Sequence, residues 1–432
     1  MRNKFFSIIT LLLCIVLAVP NVGHAYSLDY TSDYSLNEVF FPEDLFYDED
    51  FRGALREYLE QEVSFETLIN QDISLANLQN LLNSFPQTRM GITVYPDYYG
   101  GAYLDDSGHL VLLTSADLNN TSFARARNMI STTIREVEYS FNEMMDVTNL
   151  ILEFFSANSE HPISLNMTSW GPDVMRNRVT VDILEYNEEQ ISLFRELIID
   201  SPMVEFNQSS GMAVPTEYIP TTEVEYEQNI EPTYAPIMPF NIALNPGQRI
   251  TRANGIGGRS IGYRATRNGV NGFVTASHTD TGHISIVERF YSAGRHIGTT
   301  VTRSSGSTDA AFVSLQAGTT VSNRIGSSEA HGRTIFRPVA GAWVARIGST
   351  SGINGGQITH AGRTGIVNGS PVWVAEASFI SREGDSGGIV FRENFSNVSS
   401  HEVAGITVAA YGNSTFFTHA EMINSQLGLT LH

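Results

Sequence analysis

The sequence predicts an α+β region followed by an all-β region, and three observations support this division. Before residue 205, helical spacing of apolar residues alternates with two hairpin patterns. From residue 246 to 432, short alternating strands are separated by glycines, and helical spacing returns only at residues 421–427. The charge also divides, because residues 26–245 hold 36 acidic residues and nine arginines, whereas residues 246–432 hold ten acidic residues and 15 arginines. We therefore expect two domains whose opposite charges attract each other.

Residues 1–25 predict a secretory signal peptide. Arg2 and Lys4 precede an apolar core at residues 5–19, and small residues stand at the last and third-last positions, as signal peptidase requires. The apolar core is too short to span a membrane with these flanks. Cys14, the chain's single cysteine, is removed with this segment. We expect a secreted, extracellular protein with no disulfide and, after cleavage of the signal peptide, no contact with the membrane.

The region from 26 to 205 predicts helices and hairpins in alternation. The second hairpin and helix follow the same pattern as the first, which hints at a duplicated module. In chain order, the expected elements are helices at 51–68 and 73–85, a hairpin at 101–113 that turns at 106–108, a long helix at 122–156, a hairpin at 170–183 and a helix at 188–200.

Residues 206–245 predict a linker. The segment contains five prolines and five glutamates, and proline-rich acidic chain stays extended and accessible. We expect a proteolytic processing cut here, with the end of the linker near residues 248–250. The acidic balance of the whole chain argues against nucleic acid as a partner.

A Gly-Asp-Ser-Gly-Gly stretch at residues 384–388 is the strongest chemical signal. A serine hydroxyl is a poor nucleophile unless a base removes its proton and donors stabilise the oxyanion. Glycines on both sides of Ser386 permit a tight turn without side chains that would block a substrate. Such a turn can direct the amides of Gly384 and Ser386 at one point, which predicts an oxyanion hole.

Two further stretches supply partners for this serine. Residues 271–278 form an apolar strand pattern that ends at His278, and Asp309 begins another apolar strand. The order histidine, aspartate, serine is that of chymotrypsin, and it assigns His278 as the base and Asp309 as the residue that orients it. The alternative, a nucleophile elbow of an α/β-hydrolase, needs a helix after the serine and an acid and a histidine downstream. Residues 389–391 instead predict a strand.

Together these stretches resemble the secreted bacterial chymotrypsin-like proteases of the α-lytic protease and streptogrisin group. The resemblance extends to residues 260–263, 344–352 and 415–417. It implies two six-stranded β-barrels with the triad in the cleft between them. Residues 26–205 resemble the pro-region of the same group, most clearly around residues 170–179, which implies a folding template and inhibitor that is removed by cleavage.

The resemblance also implies supporting and substrate-binding residues. It pairs Asp385 with Arg346 and assigns the substrate-binding strand to residues 405–410. Val408 stands where relatives carry a serine that supports the triad aspartate, so that hydrogen bond is lost unless Thr407 or the backbone replaces it. The residues implied in substrate binding are Ser378 near the pocket floor, Thr407, Val408, Ala409 and Ala410. Small to medium apolar residues are the expected preference before the cleaved bond.

The sequence thus predicts a serine endopeptidase made as a zymogen. The expected organisation is a signal peptide (1–25), an acidic pro-domain (26–205), a linker (206–245) and a protease domain (246–432). Its partners would be protein or peptide substrates and its own pro-domain, and it would act as a monomer. The remaining histidines lack metal-ligand spacing, so we expect neither a metal nor another cofactor. The alternative is a β-barrel binding or adhesion domain that retains a relic of the triad.

Overall fold

A computed structural model describes most of the chain after residue 62. The described residues are 63–87, 93–116, 130–216, 241–252, 257–279, 282–304, 306–325, 334–394 and 401–431. The predicted signal peptide and most of the predicted linker lie outside these residues. Among the helices of the described ranges, none has both the length and the apolar character that crossing a membrane requires.

The N-terminal domain contains two units of similar construction. Each has an antiparallel hairpin whose second strand pairs in parallel with a third strand, and helices pack beside it. In chain order the elements are α1 (Phe65–Asn83), β1 (Tyr99–Leu104), β2 (Leu110–Thr114), β3 (Thr132–Glu136), α2 (Phe141–Ala157), α3 (Pro162–Asn166), β4 (Met167–Asp173), β5 (Arg178–Ile183), α4 (Glu188–Leu197) and β6 (Val204–Gln208). Both predicted hairpins are present, and the duplicated pattern in the sequence corresponds to these two units.

The long helix predicted at 122–156 is wrong in extent. Strand β3 lies within that range, where consecutive β-branched residues, Thr132 to Ile134, favour an extended backbone and pair with β2. The helix begins only at Phe141. Ser140 caps it by accepting the Glu143 amide, and the Glu143 carboxylate accepts the Ser140 amide in return. The polar signal for the start of the helix was therefore present in the sequence.

The C-terminal domain consists almost entirely of strands. After β7 (Val214–Pro215), they are β8 (Ile242–Leu244), β9 (Arg249–Arg252), β10 (Arg259–Ser260), β11 (Arg264–Arg267), β12 (Val270–Thr275), β13 (His278–Thr279), β14 (Gly282–His283), β15 (Arg289–Ser292), β16 (Arg295–Arg303), β17 (Ala311–Leu315), β18 (Thr319–Val321), β19 (Thr334–Ile335), β20 (Trp343–Gly348), β21 (Gly352–Val367), β22 (Ser370–Ala377), β23 (Ile389–Glu393), β24 (His401–Tyr411), β25 (Ser414–His419) and β26 (Thr430–Leu431), with helix α5 (Ala420–Leu427) before the last.

These strands form two curved sheets, one after the other along the chain. The first has the order β10-β9-β15-β16-β17-β12-β11-β26. The second has the order β20-β23-β24-β25-β22-β21, and it closes into a six-stranded barrel because β21 also pairs with β20. Buried residues of both sheets, such as Phe312 and Ile406, belong to one core cluster. The predicted fold class, an α+β domain followed by an all-β domain with two barrels, is confirmed.

The two domains share a sheet and bury charges against each other. Strand β4 pairs with β21 through Trp170 and Ser169, so the strands of the N-terminal domain extend the second barrel's sheet. Arg363 of β21 donates to Asp182 of β5 over 2.5 Å. Arg392 of β23 donates to Asp72 of α1. The opposite charges of the two halves thus meet as buried ion pairs.

Both ends of the predicted linker are part of folded structure. Strand β6 continues to Gln208, three residues past the expected boundary at 205. At the other end, Ile242–Leu244 pairs in parallel with β18, and Leu244 is fully buried. Residues 249–252 form β9 of the first barrel. A cut near residues 248–250 would therefore detach β8, with its buried Leu244, from the C-terminal domain.

Candidate active site

Ser386, His278 and Asp309 form one hydrogen-bonded chain at the junction of the two barrels. The Ser386 Oγ lies 2.5 Å from His278 Nε2. On the other side of the ring, His278 Nδ1 contacts Asp309 Oδ2. An ionised carboxylate only accepts hydrogen bonds, so Nδ1 carries the proton and Nε2 is free to accept the serine hydroxyl. This arrangement can remove a proton from Ser386.

The Asp309 carboxylate is buried and well supplied with donors. Its Oδ1 accepts the amides of Ser277 and His278 at 2.9 and 2.8 Å, and the Ser277 hydroxyl at 2.8 Å. Burial would raise the pKa of this carboxyl, but the charge and hydrogen bond of His278 and the Ser277 donors hold the pKa well below its ordinary value. Asp309 therefore stays ionised and can stabilise a protonated imidazole.

The turn that carries Ser386 depends on two glycines. Gly384 and Gly387 have φ values of 97° and 82°, in the region that residues with side chains rarely adopt. A Cβ at Gly387 would also lie 2.2 Å from the Thr275 hydroxyl. With these glycines in place, the amides of Gly384 and Ser386 converge on one oxygen atom. Such convergence of two amides is the geometry that an oxyanion hole requires.

Asp385, the residue before Ser386, binds an arginine of the second barrel. Its Oδ2 lies 3.1 Å from Arg346 Nη2, and neither side chain is exposed. The same carboxylate accepts the Thr350 and Ser351 amides and the Ser351 hydroxyl. Burial would raise the pKa of Asp385, whereas Arg346 and these donors lower it overall. The ionised carboxylate thereby fixes the conformation of the turn.

The oxygen atom that both amides of the turn at residues 384–386 (the oxyanion turn) contact is a backbone carbonyl oxygen of this same chain. The Thr216 carbonyl accepts hydrogen bonds from the Gly384 amide at 2.5 Å and the Ser386 amide at 3.1 Å. These are the two donors predicted for the oxyanion hole. Thr216 is almost completely buried there. The Thr216 carbonyl oxygen therefore lies at the point on which the two amides of the turn converge, beside Ser386.

The residues before Thr216 lie along the predicted substrate-binding strand. Strand β7 pairs antiparallel with β24, so that Pro215 is opposite Ala409 and Val214 is opposite Ala410. The Thr216 amide donates to the Val408 carbonyl at 3.4 Å. An extended peptide that adds a strand in this way is held by its main chain, which leaves alternate side chains to determine selectivity.

Two predicted binding residues take other positions. Thr407 contacts the nucleophile turn through its backbone, since its carbonyl accepts the Gly387 amide and its amide donates to Gly388. Ser378 is exposed, and its hydroxyl accepts the Gln357 amide at the start of the β21–β22 hairpin. Val408, Ala409 and Ala410 thus lie beside the segment that ends at Thr216. The Ser378 hydroxyl instead binds the backbone of Gln357.

Sequence reasoning missed Thr216 and Ser277. Thr216 stands in a segment whose composition predicts a linker, and no local pattern marks it as a residue that binds in the active site. Ser277 directly precedes the predicted base, so its position could have been noticed, but its contact with Asp309 depends on how β13 and β17 pack. Within the described ranges, no group of three or more metal-binding side chains lies close enough to hold a metal ion.

Residues 63–209 of the N-terminal region match two models of known protein families. Residues 63–139 match the model of the Pro-like N-terminal domain, and residues 142–209 match that of the Pro-like C-terminal domain. The boundary between these matches falls between β3 and α2, where the first of the two structural units ends. The matches confirm the resemblance of this region to a pro-region.

Solved structures similar to this chain are bacterial proteases. The protease of Nocardiopsis is 25% identical and has a TM-score of 0.38, over 44% of this chain and 99% of its own. The chymotrypsin of Cellulomonas bogoriensis is 26% identical with a TM-score of 0.37, over 44% and 99%. Protease A of Thermobifida fusca is 22% identical with a TM-score of 0.37, over 44% and 98%.

Proposed function

We propose that this chain, a pro-region precursor of the bacterial chymotrypsin-like type, is a secreted serine endopeptidase whose first substrate is its own Thr216–Glu217 bond. The observation that carries the proposal is the position of the Thr216 carbonyl. It accepts both oxyanion-turn amides beside a serine whose hydroxyl is bonded to His278. The alternative, a binding domain with a relic triad, does not account for a bound carbonyl beside a hydrogen-bonded serine and histidine and an ionised Asp309.

The proposed reaction begins at Ser386. Its Oγ attacks the Thr216 carbonyl carbon while His278 Nε2 takes the hydroxyl proton. The amides of Gly384 and Ser386 stabilise the negative charge on the carbonyl oxygen. His278 then gives its proton to the departing amine of Glu217, and residues up to 216 remain as an ester on Ser386. Water attacks this ester with His278 again as the base, which leaves a carboxylate on Thr216 and a free serine.

The products explain the role of the N-terminal domain. After cleavage, residues up to 216 end in the active site, held by β7 and by the sheet that β4 shares with β21. The pro-domain would then inhibit the enzyme until it is removed. The new N-terminus, at Glu217, leaves β8 and β9 intact in the enzyme domain. Mass spectrometry of the incubated precursor tests this, and termini near residue 249 would contradict it.

We expect a small, uncharged residue before the cleaved bond. The Thr216 side chain is buried, and its hydroxyl has no hydrogen-bond partner among the described residues. Thr216→Val keeps the shape, so the precursor should be processed at nearly the parent rate. Thr216→Arg would bury an unpaired charge and should slow processing by at least about a hundredfold. The rate of loss of the full-length chain on a gel measures both.

Val214→Arg is the matched control for this prediction. Val214 lies two residues upstream, in β7, and is 58% exposed, so an arginine there can stay solvated. Processing of this variant at the parent rate would show that the effect at position 216 comes from the burial of that side chain. Equal slowing at both positions would instead indicate that arginine disturbs the strand as a whole.

The contact between Asp182 and Arg363 should contribute strongly to precursor stability. Arg363 is fully buried between Asp182 of the pro-domain and Glu376 of its own barrel. Asp182→Ala removes one of its two carboxylates and should lower the free energy of unfolding by about 3 kcal/mol. Urea unfolding of the uncleavable Ser386→Ala precursor measures this. Asp200→Ala, which removes an exposed carboxylate, should leave the midpoint nearly unchanged.

This contribution has a definite dependence on pH. Burial would raise the pKa of Asp182, but Arg363 and the Ser169 and Asn207 hydrogen bonds lower it overall. A carboxyl whose folded pKa lies below its unfolded value, about 3.9, stabilises the fold above that pH and ceases to do so as the pH falls through the folded pKa. The difference between the parent and Asp182→Ala should therefore shrink below about pH 4.

A further inference from the structure

The Ser277 side chain donates a hydrogen bond to the Asp309 carboxylate. Its hydroxyl lies 2.8 Å from Asp309 Oδ1, and its own amide donates to the same oxygen at 2.9 Å. Ser277 is fully buried. Among the described residues, the side chains that donate to Asp309 are those of Ser277 and His278. Ser277 thus fixes the oxygen that does not face the imidazole.

In the described part of the chain, neither Thr407 nor Val408 donates a side-chain hydrogen bond to Asp309. Val408 stands where the resemblance places a supporting serine, and its side chain has no hydrogen-bonding group. The neighbouring Thr407 hydroxyl is buried, and within the described part of the chain it has no hydrogen-bond partner. Support for Asp309 therefore comes from the first barrel, through the residue directly before the base.

His283 restricts the Ser277 hydroxyl in turn. Strands β13 and β14 form a small hairpin in which His283 is directly opposite His278. The Nδ1 atom of His283 lies 3.0 Å from the Ser277 Oγ. A hydroxyl has one proton, and the carboxylate can only accept, so the Ser277 proton points to Asp309 and His283 Nδ1 donates to the serine oxygen. This second hydrogen bond orients the hydroxyl toward the carboxylate.

We propose that Ser277 and His283 are positioning residues of the catalytic site, in place of a donor at residue 408. The inference rests on the proposed protease function and deepens it. A chain of hydrogen bonds, here called the relay, runs from His283 through Ser277 to Asp309, and from there to His278 and Ser386. Its effect is to hold the Asp309 carboxylate in the plane of the imidazole, so that Nδ1 keeps its proton and Nε2 stays available to Ser386. In the part of the chain that the structure describes, the side-chain hydrogen bonds of Ser277 and His283 join them to each other and to Asp309, not to residues 214–216.

Kinetics of the processed enzyme test this proposal. The probe is a Val-Pro-Thr p-nitroanilide, which reproduces residues 214–216. Ser277→Ala should lower kcat about tenfold, since a hydrogen bond to a charged group is lost, and it should leave KM within about twofold because the binding strand is untouched. Ser314→Ala is the matched control, because it removes a serine hydroxyl bonded to a backbone carbonyl elsewhere in the first barrel.

A double-mutant cycle separates the relay from general destabilisation. His283→Phe should lower kcat about threefold in the parent and have no further effect in the Ser277→Ala background, because the histidine acts through the serine hydroxyl. The same loss in both backgrounds would overturn the role of His283. An unchanged kcat in Ser277→Ala, or a loss carried by KM alone, would overturn the role of Ser277.

These outcomes are distinct from failure of the proposed function. If the parent hydrolyses the probe and Ser386→Ala does not, the protease function holds whatever the Ser277 variants show. If the parent neither processes itself nor hydrolyses the probe, the protease function fails first, and the positioning role falls with it.

Discussion

Replacing Ser386 by alanine is expected to leave the precursor uncut. The alanine variant keeps both amides that hold the Thr216 carbonyl, because one belongs to Gly384 and the other is the backbone amide of residue 386 itself. Only the nucleophile is removed, and loss of the nucleophile in such a triad typically lowers kcat on the order of 10⁶-fold. No fragment that begins at Glu217 should appear over days of incubation.

Labelling with a fluorophosphonate, which reacts with activated serines, is a second test of the role of Ser386. The processed parent should become labelled at Ser386, and the alanine variant should not. Ser370→Ala, a change at the exposed first residue of β22, should process and label like the parent. Continued cleavage at Thr216–Glu217 in purified Ser386→Ala would show that another protease makes the cut. An unlabelled processed parent would favour a β-barrel binding domain with a relic triad.

Asp309→Asn is expected to lower kcat about 10⁴-fold while the fold is kept. The reason lies in the donors around Oδ1. Two amides and the Ser277 hydroxyl point at this position, so the asparagine oxygen must occupy it and the NH₂ group must face His278 Nδ1. The imidazole would then accept at Nδ1 and carry its proton on Nε2. In that tautomer it cannot take the proton of Ser386.

Steady-state hydrolysis of the same p-nitroanilide measures the loss. Glu421→Gln is the isosteric control, since it makes the same acid-to-amide change in an exposed ion pair with Arg337, and it should retain parent activity. Because the tautomer is the cause, Ser277→Ala should have a milder effect in the Asp309→Asn background than in the parent: the Ser277 and His278 amides still hold the asparagine oxygen, and the imidazole is already in the wrong tautomer. Activity of Asp309→Asn within tenfold of the parent would contradict this account.

Much of the fold was predictable because its signals are local. Hairpins at 101–113 and 170–183 follow from alternation and turn residues, and the glycine-punctuated strands after residue 246 predict an all-β domain. The long helix at 122–156 was mispredicted because apolar spacing around β3 also suits a helix. There, pairing with β2 decided in favour of a strand, although the cap at Ser140 marked where the helix begins.

Some residues of the candidate site were predictable from local sequence patterns, and others were not. His278, Asp309 and Ser386 each stand at the end or start of a recognisable strand or turn, so the sequence alone determined which residues to test and in which roles. Arg346 and Asp385 were implied by resemblance, and the structure places them in contact. Ser378 was implied by resemblance as a substrate-binding residue, but in the structure its hydroxyl accepts a hydrogen bond from the Gln357 amide.

Only the tertiary structure decided what occupies the site and what supports it. The carbonyl in the oxyanion turn belongs to Thr216, the hydroxyl on Asp309 belongs to Ser277, and the carboxylate on Arg363 comes from Asp182. Each of these contacts joins groups from different strands, and no periodicity within a strand specifies its partner. Local sequence determines which segments become strands and turns, whereas the packing of two barrels and a pro-domain determines which polar groups they bring together.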